Sequence, residues 1–392
     1  MRLRWVVLGV FVLSSGLNYL DRQILPALAP ALREEFHLTN ADYGLVLAAF
    51  SIAYALSAPL AGLFIDRVGL NRGASLSVGL WSLAGIATAF AGGLPGLAAC
   101  RAWLGVAQAG GVPAAGKAIA TYLPPEERAL GHALSQAGLS CGAMLAPPLA
   151  IWLATHYGWR SAFLVTGAAG LLWIPLWNRV ARLAPHKIFP SARPGLRAAE
   201  VFRDRQLWAF VAATVLGMVV YTLWTNWTTV YLVQERGFSL AGTAAVACLP
   251  PVFFNLGGIA GGSLSMRWIR AGRQPFDARL RACLLSAVAL FATAAVPLMP
   301  TAGWAIAMIC LSAFWSSSLS VNLYSLPLDV FGAGRAAFTS SVLTAAYGAM
   351  QAVFSPMAGL LIDLLGFQPV CFAVAVLPLM ACALLYRVRP KT

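Results

Sequence analysis

Charge is what this sequence has least of. Only 10% of its 392 residues are Asp, Glu, Lys or Arg, against about 25% in a soluble globular domain. Too few charges are present to cover a water-facing surface, which excludes the ordinary soluble classes. Acidic residues are scarcest, 13 against 27 basic ones, and Asp21 alone among them lies deep inside an apolar stretch. The four histidines, His37, His132, His156 and His186, are scattered, and none of the seven cysteines forms a CxxC pair. No disulfide framework, metal site or cofactor is expected from them. The cysteines sit in or beside apolar segments and read as small packing residues. A membrane-embedded enzyme needs clustered carboxylates for a metal, or a nucleophile with a base. One buried carboxylate without a nearby histidine argues against that class.

What is present is apolar: 60% of the residues are hydrophobic. Runs of about 20 apolar residues recur along the chain, each long enough to cross the hydrocarbon core as a helix. A β-barrel would instead show short alternating segments. The expected class is an all-α polytopic membrane protein. The opening MRLRWVVLGVFVLSSG imitates a secretory signal, but its apolar character continues past Gly16, so it reads as the first span. Polar breaks leave twelve expected spans, near 5–30, 43–64, 73–92, 96–122, 129–154, 161–178, 207–233, 241–266, 282–300, 303–328, 336–361 and 369–386. The one long polar stretch gives a six-helix half over 1–178, a linker over 179–206 and a second half over 207–392.

A net charge of +14 invites a nucleic-acid reading, which the distribution of charge removes. If both termini face one side, that side collects 21 of the basic residues, seven of them in the linker, and the other side holds Arg33, Arg160 and Arg236. The positive-inside rule then places both termini in the cytoplasm. Contact with anionic lipid is a secondary role for this charge. Internal repetition supports two halves. PLAGLFIDRVG begins at Pro59 and PMAGLLIDLLG at Pro356, PLAIWLATHYGW keeps the ten-residue step from Pro148 to Gly158, and a degenerate IAGGSLSMRW begins at Ile259. A three-helix unit used four times is a transporter architecture with its substrate site near the bilayer midplane.

A charge within a span is costly and usually faces a polar cavity. Asp21 and Arg22 are adjacent, so on a helix they point about 100° apart and each needs a partner on another helix. The bland reading is an ion pair locking helix 1 to a neighbour. The functional reading is a titratable carboxylate beside a fixed cation on a transport pathway. Arg101 and Gln108, seven residues apart, share one helix face. Lys117 lies on a different face near the cytoplasmic end and reads as a snorkelling side chain. Two arginines with one carboxylate leave a positive excess that an organic anion would balance, and arginine grips a carboxylate through two parallel hydrogen bonds. Tyr19, Trp224, Asn226, Asn322 and Tyr324 are candidates for the remaining contacts, suited to hydroxyls and sugar-like faces. Interfacial belts and helix–helix hydrogen bonds explain such residues equally well. Asp66 and Arg67, at the cytoplasmic end of span 2, are candidate gating charges.

GLFIDRVGLNR resembles the loop signature of the major facilitator superfamily. LNYLDRQ, RAWLGVAQAGGVPAAGKA and GAMLAPPL resemble the anion:cation symporter family, most closely its hexuronate transporters. The likeness runs through most of the amino-terminal half and is topological in the other. It implies inward movement of sugar acids or related anions with protons, by a monomer in a bacterial inner membrane. By this resemblance Asp21 is the helix-1 proton carrier and Arg22 its neighbouring arginine. Tyr54 is a substrate-site tyrosine, and Arg101 lies close to the substrate and coupling network. The family has a glutamate where this chain has Gln108. That departure, natural or introduced, leaves the proton stoichiometry open, with an uncoupled facilitator or anion exchanger as the alternative.

Overall fold

Backbone polar groups in hydrocarbon must be satisfied within the segment, which a helix does by itself. In a computed structural model of the chain, which describes residues 2–123, 127–183, 204–331 and 333–388, the regular elements are all helical. The first seven helices are α1 (Arg2–Phe36), α2 (Asn40–Val68), α3 (Leu70–Thr88), α4 (Leu94–Gln108), α5 (Gly111–Tyr122), α6 (Arg128–Tyr157) and α7 (Trp159–Leu183). After the expected linker come α8 (Arg205–Gly217), α9 (Val219–Gln234), α10 (Leu240–Thr243), α11 (Leu249–Arg270), α12 (Pro275–Ala289), α13 (Ala292–Ala295), α14 (Ala302–Phe331), α15 (Ala333–Leu365) and α16 (Phe367–Arg387).

Among the described residues, nine helical stretches are long and apolar enough to cross a membrane. The expected spans 73–92, 96–122 and 241–266 are helical but fall outside that set. The second is broken between α4 and α5 around Gly110, and the third is split into α10 and α11. All three segments are rich in glycine, which lets helices approach closely.

The sequence repeat has a structural meaning. Gly69, Gly158 and Gly366, each ten residues beyond its repeat's proline, have φ of 89°, 81° and 78°. Each donates its backbone N–H to the carbonyl four residues earlier, Ile65, Ala154 and Ile362, at 3.1, 3.0 and 2.9 Å. A left-handed residue closes one helix and starts the next almost at once, and glycine adopts that conformation without steric cost. Thr39 starts α2 with a capping box, its hydroxyl accepting from Asp42 N while Asp42 Oδ2 accepts from Thr39 N, both at 3.0 Å.

Two compact units result. The first takes in α1–α7 together with Phe238–Cys248, and the second holds α8, α9 and α11–α16. The short segment around α10 therefore packs with the first unit, although sequence order puts it after residue 207. Within the first unit α1 packs on α6, α2 on α4 and α3 on α7. Glycines set these contacts. A methyl group on Gly142 of α6 would collide with the carbonyl of Gly16 on α1. In the second unit the dominant pair is α11 and α14, where Gly257 and Gly261 lie against the backbone of Phe314 and Ser318. The aromatic core of the first unit gathers Phe11, Trp173 and Trp177, the last two stacked at 5.4 Å.

Candidate functional site

The unit built from α1–α7 carries the charged constellation. α1 presents Asp21 and Arg22 in succession, and the 100° step between them sends the two side chains to different neighbours. Arg22 Nε donates to Gln108 Oε1 on α4 at 3.1 Å. Its guanidinium carbon lies 4.9 Å from the Tyr19 ring centre, 4.8 Å from Phe50 and 5.1 Å from Tyr54. Phe50 and Tyr54, one turn apart on α2, stack at 5.8 Å. Three aromatic faces attract the delocalised cation and fix its plane. Arg22 is half-buried and its two terminal nitrogens make no hydrogen bond among the described residues. The site holds a guanidinium edge in place while leaving it available to a ligand.

Gln108 is held at both ends. While its Oε1 accepts from Arg22, its Nε2 donates to Asn18 O of α1 at 3.0 Å. These roles fix the amide orientation, since only the nitrogen can donate. Asp21 points elsewhere. It is 3% exposed, and both carboxylate oxygens are buried without a formed hydrogen bond. The Arg101 guanidinium acts on it electrostatically, and Thr166 of α7 lies beside it, its hydroxyl donating instead to Ala162 O at 3.0 Å. Arg101 is equally buried, with Nε and one terminal nitrogen unpaired, and Tyr43 of α2 also acts on it. Arg101 and Gln108 do share a buried face of α4, but they serve different partners. Arg22 acts electrostatically on Arg101 as well, so the two guanidinium groups lie near one another, although only Arg22 bonds Gln108.

Several other expected residues have structural employment. Lys117 of α5 reaches the carboxyl end of α2, where its Nζ donates to Ile65 O at 2.9 Å, supplying a cation to the negative end of that helix. Asn322 is wholly buried in α14 and donates to Gly261 O of α11 at 3.1 Å and to Ser318 O at 2.9 Å. Helix–helix bonding thus accounts for its amide nitrogen, while its Oδ1 is buried without a partner among the described residues. Trp224 is 1% exposed and meets Tyr231 edge-on at 5.8 Å. Asn226 and Tyr324 are half-buried in the second unit. Arg67 is exposed at the end of α2, while the side chain of its neighbour Asp66 lies outside the described residues.

Sequence reasoning missed Phe50, the third wall around Arg22, and Thr166. The spacing of Phe50 and Tyr54, four residues on one helix, was the available signal for the first. In the second unit it missed an aromatic and amide cluster. Tyr221 of α9 lies 4.4 Å from Phe254 of α11 and 6.5 Å from Tyr347 of α15, whose hydroxyl accepts from Gln351 Nε2 at 2.9 Å.

A buried acid, a caged arginine and a helical membrane scaffold are parts of a solute carrier, and comparison with known proteins decides which kind. The profile of the Major Facilitator Superfamily matches residues 11–355. The chain belongs to this superfamily. It is 29% identical to the hexuronate transporter of Escherichia coli K12, over 98% of this chain and 94% of that protein. It is 31% identical to the galacturonate transporter of Dickeya chrysanthemi, over 67% of this chain and 82% of that one. A solved structure of a bacterial homolog of the human lysosomal transporter Spinster, inward-facing and occupied, superposes with a TM-score of 0.81. That match covers 99% of this chain and 97% of the other at 20% identity, a likeness of fold. This superfamily member is a multi-pass membrane transporter, not an enzyme.

Proposed function

We propose that this transporter takes up a small organic anion, a sugar acid such as a hexuronate, with protons by alternating access. It would cross a bacterial inner membrane twelve times and act as a monomer, with both termini and the 179–206 linker cytoplasmic. The observation that carries the reading is the Arg22 cage. A planar cation held by three aromatic faces and one amide, with its terminal nitrogens available, suits a carboxylate approaching edge-on. The names of the relatives, hexuronate and galacturonate transporters, support the substrate class. In this reading Arg22 binds the carboxylate and Tyr19 and Tyr54 border it. Asp21 carries the proton under the influence of Arg101, and half-buried Asn226 and Tyr324 contact hydroxyls. Asp66 and Arg67 belong to the gate.

The test is uptake of radiolabelled galacturonate and glucuronate into proteoliposomes, with and without an inward proton gradient. Accumulation above the external concentration that depends on the gradient supports the proposal. Saturable entry that never exceeds the external concentration removes coupling. No entry of any sugar acid removes the substrate class. One observation favours an uncoupled facilitator or exchanger as the second reading: Gln108 is an amide bonded on both sides and has no proton to release.

A further inference from the structure

Beyond the transport site, we infer that the expected cytoplasmic end of α7 is a binding site for one anionic phospholipid, its phosphate held by Arg179 and Arg182 and an acyl chain lying along leucines of α7. A cleft of about 570 Å³ opens there, walled by Pro175, Leu176, Asn178, Arg179 and Arg182. Arg179 and Arg182 are exposed, stand one turn apart and make no ion pair among the described residues. Toward the membrane interior, Leu172 and Leu176 share the Arg179 face of α7, spaced four and three residues, and both are exposed.

Helix α3 adds to the same level. Ser75 Oγ donates to Asn178 Oδ1 at 3.3 Å, which aligns the start of α3 with the end of α7. Arg72 lies just before Ser75 and is exposed, and Leu76, Leu80 and Leu83 continue an exposed stripe from it. Two packed helices therefore present cations at one depth with bare leucine surface directly beyond. A soluble anion would use only the cations. A glycerophospholipid uses both, because its phosphate sits at the interface and its chains run inward from it. Basic pockets between membrane helices take such headgroups. The site depends on the proposed orientation only for which leaflet supplies the lipid, and binding in detergent does not depend on orientation at all.

The experiment is native mass spectrometry of the purified full chain in a non-ionic detergent, titrated with phosphatidylglycerol, cardiolipin or phosphatidylcholine. Wild type should retain one phosphatidylglycerol or cardiolipin in clear preference to phosphatidylcholine. An arginine near an anionic lipid surface contributes roughly fivefold, so R179Q/R182Q should weaken that adduct by about 30-fold. R270Q/R273Q, which removes the same charge from the end of α11 and the turn after it, should leave it unchanged. Thermal melting reports whether the double variant folds; if it does not, R182Q alone should give roughly a fivefold loss. Equal losses in both double variants, no preference over phosphatidylcholine, or displacement of the lipid by inorganic phosphate would each overturn the site.

Discussion

Replacing Gln108 by glutamate changes one atom in kind and should change how the transporter responds to pH. In the structure the amide oxygen takes a hydrogen bond from Arg22 Nε at 3.1 Å and the amide nitrogen gives one to Asn18 O at 3.0 Å. An ionised carboxylate keeps the first bond and cannot make the second. It also turns a neutral acceptor into a charge partner for Arg22, and a hydrogen bond between charged groups contributes about 1.5–3 kcal/mol. That interaction competes directly with a substrate carboxylate for the same guanidinium. Substrate affinity of Gln108→Glu at high pH should therefore fall roughly 10- to 100-fold below wild type. At low pH the protonated glutamic acid can donate to Asn18 O again, releases Arg22 from the competing charge, and should restore affinity. The sign follows: affinity of the variant falls as pH rises, because the weakly binding form is the deprotonated one. The measurement is calorimetric binding of a sugar acid across pH 5 to 8, together with the proton-to-substrate ratio in proteoliposomes, which should rise. Parallel pH profiles and equal ratios for the two proteins would show that position 108 only packs, and would refute the competition argument.

Arg22→Lys should lose binding nearly as fully as Arg22→Ala, by about 10- to 100-fold, because an ammonium cannot offer two parallel donors or lie flat among three rings; wild-type affinity in the lysine variant, by calorimetry, would take the guanidinium out of the site. Asp21→Asn should preserve substrate exchange between loaded vesicles while abolishing accumulation driven by a proton gradient, since asparagine resembles the protonated acid but cannot cycle; gradient-driven accumulation by the variant would remove Asp21 from coupling. Gly257→Ala should lower the melting temperature and cost about 1–3 kcal/mol, because its methyl meets the Phe314 backbone, whereas Gly262→Ala, whose nearest neighbour would lie at 3.6 Å, should melt like wild type. For topology, single cysteines at Arg33 and Arg193 on a cysteine-free background should differ in intact cells, only position 33 reacting with an impermeant reagent; the reverse pattern inverts the orientation.

The sequence by itself determined the class. Its hydropathy and scarcity of charge left only membrane helices. The ten-residue step from proline to glycine located three helix junctions that share one left-handed backbone conformation. These are local properties: a run of apolar residues needs internal hydrogen bonds wherever it lies, and positive φ selects glycine wherever it occurs. The sequence also determined that Asp21 and Arg22 must diverge, because helix geometry alone separates adjacent side chains. What it could not supply was which residue each would meet. Arg22 finds Gln108, Tyr19, Phe50 and Tyr54, and Asp21 instead lies under the influence of Arg101 and Thr166. Apart from Tyr19, one turn before Arg22 on α1, these partners come from other helices. Their meeting depends on the rotation and depth at which α1, α2, α4 and α7 pack, and these are fixed by close approaches at small residues such as Gly16, Gly105 and Gly142. The same packing assigned Asn322 and Lys117 to backbone carbonyls of neighbouring helices. A polar side chain in a span reads the same in sequence whether it faces a ligand or a neighbouring backbone, and only the tertiary arrangement of helices decides which.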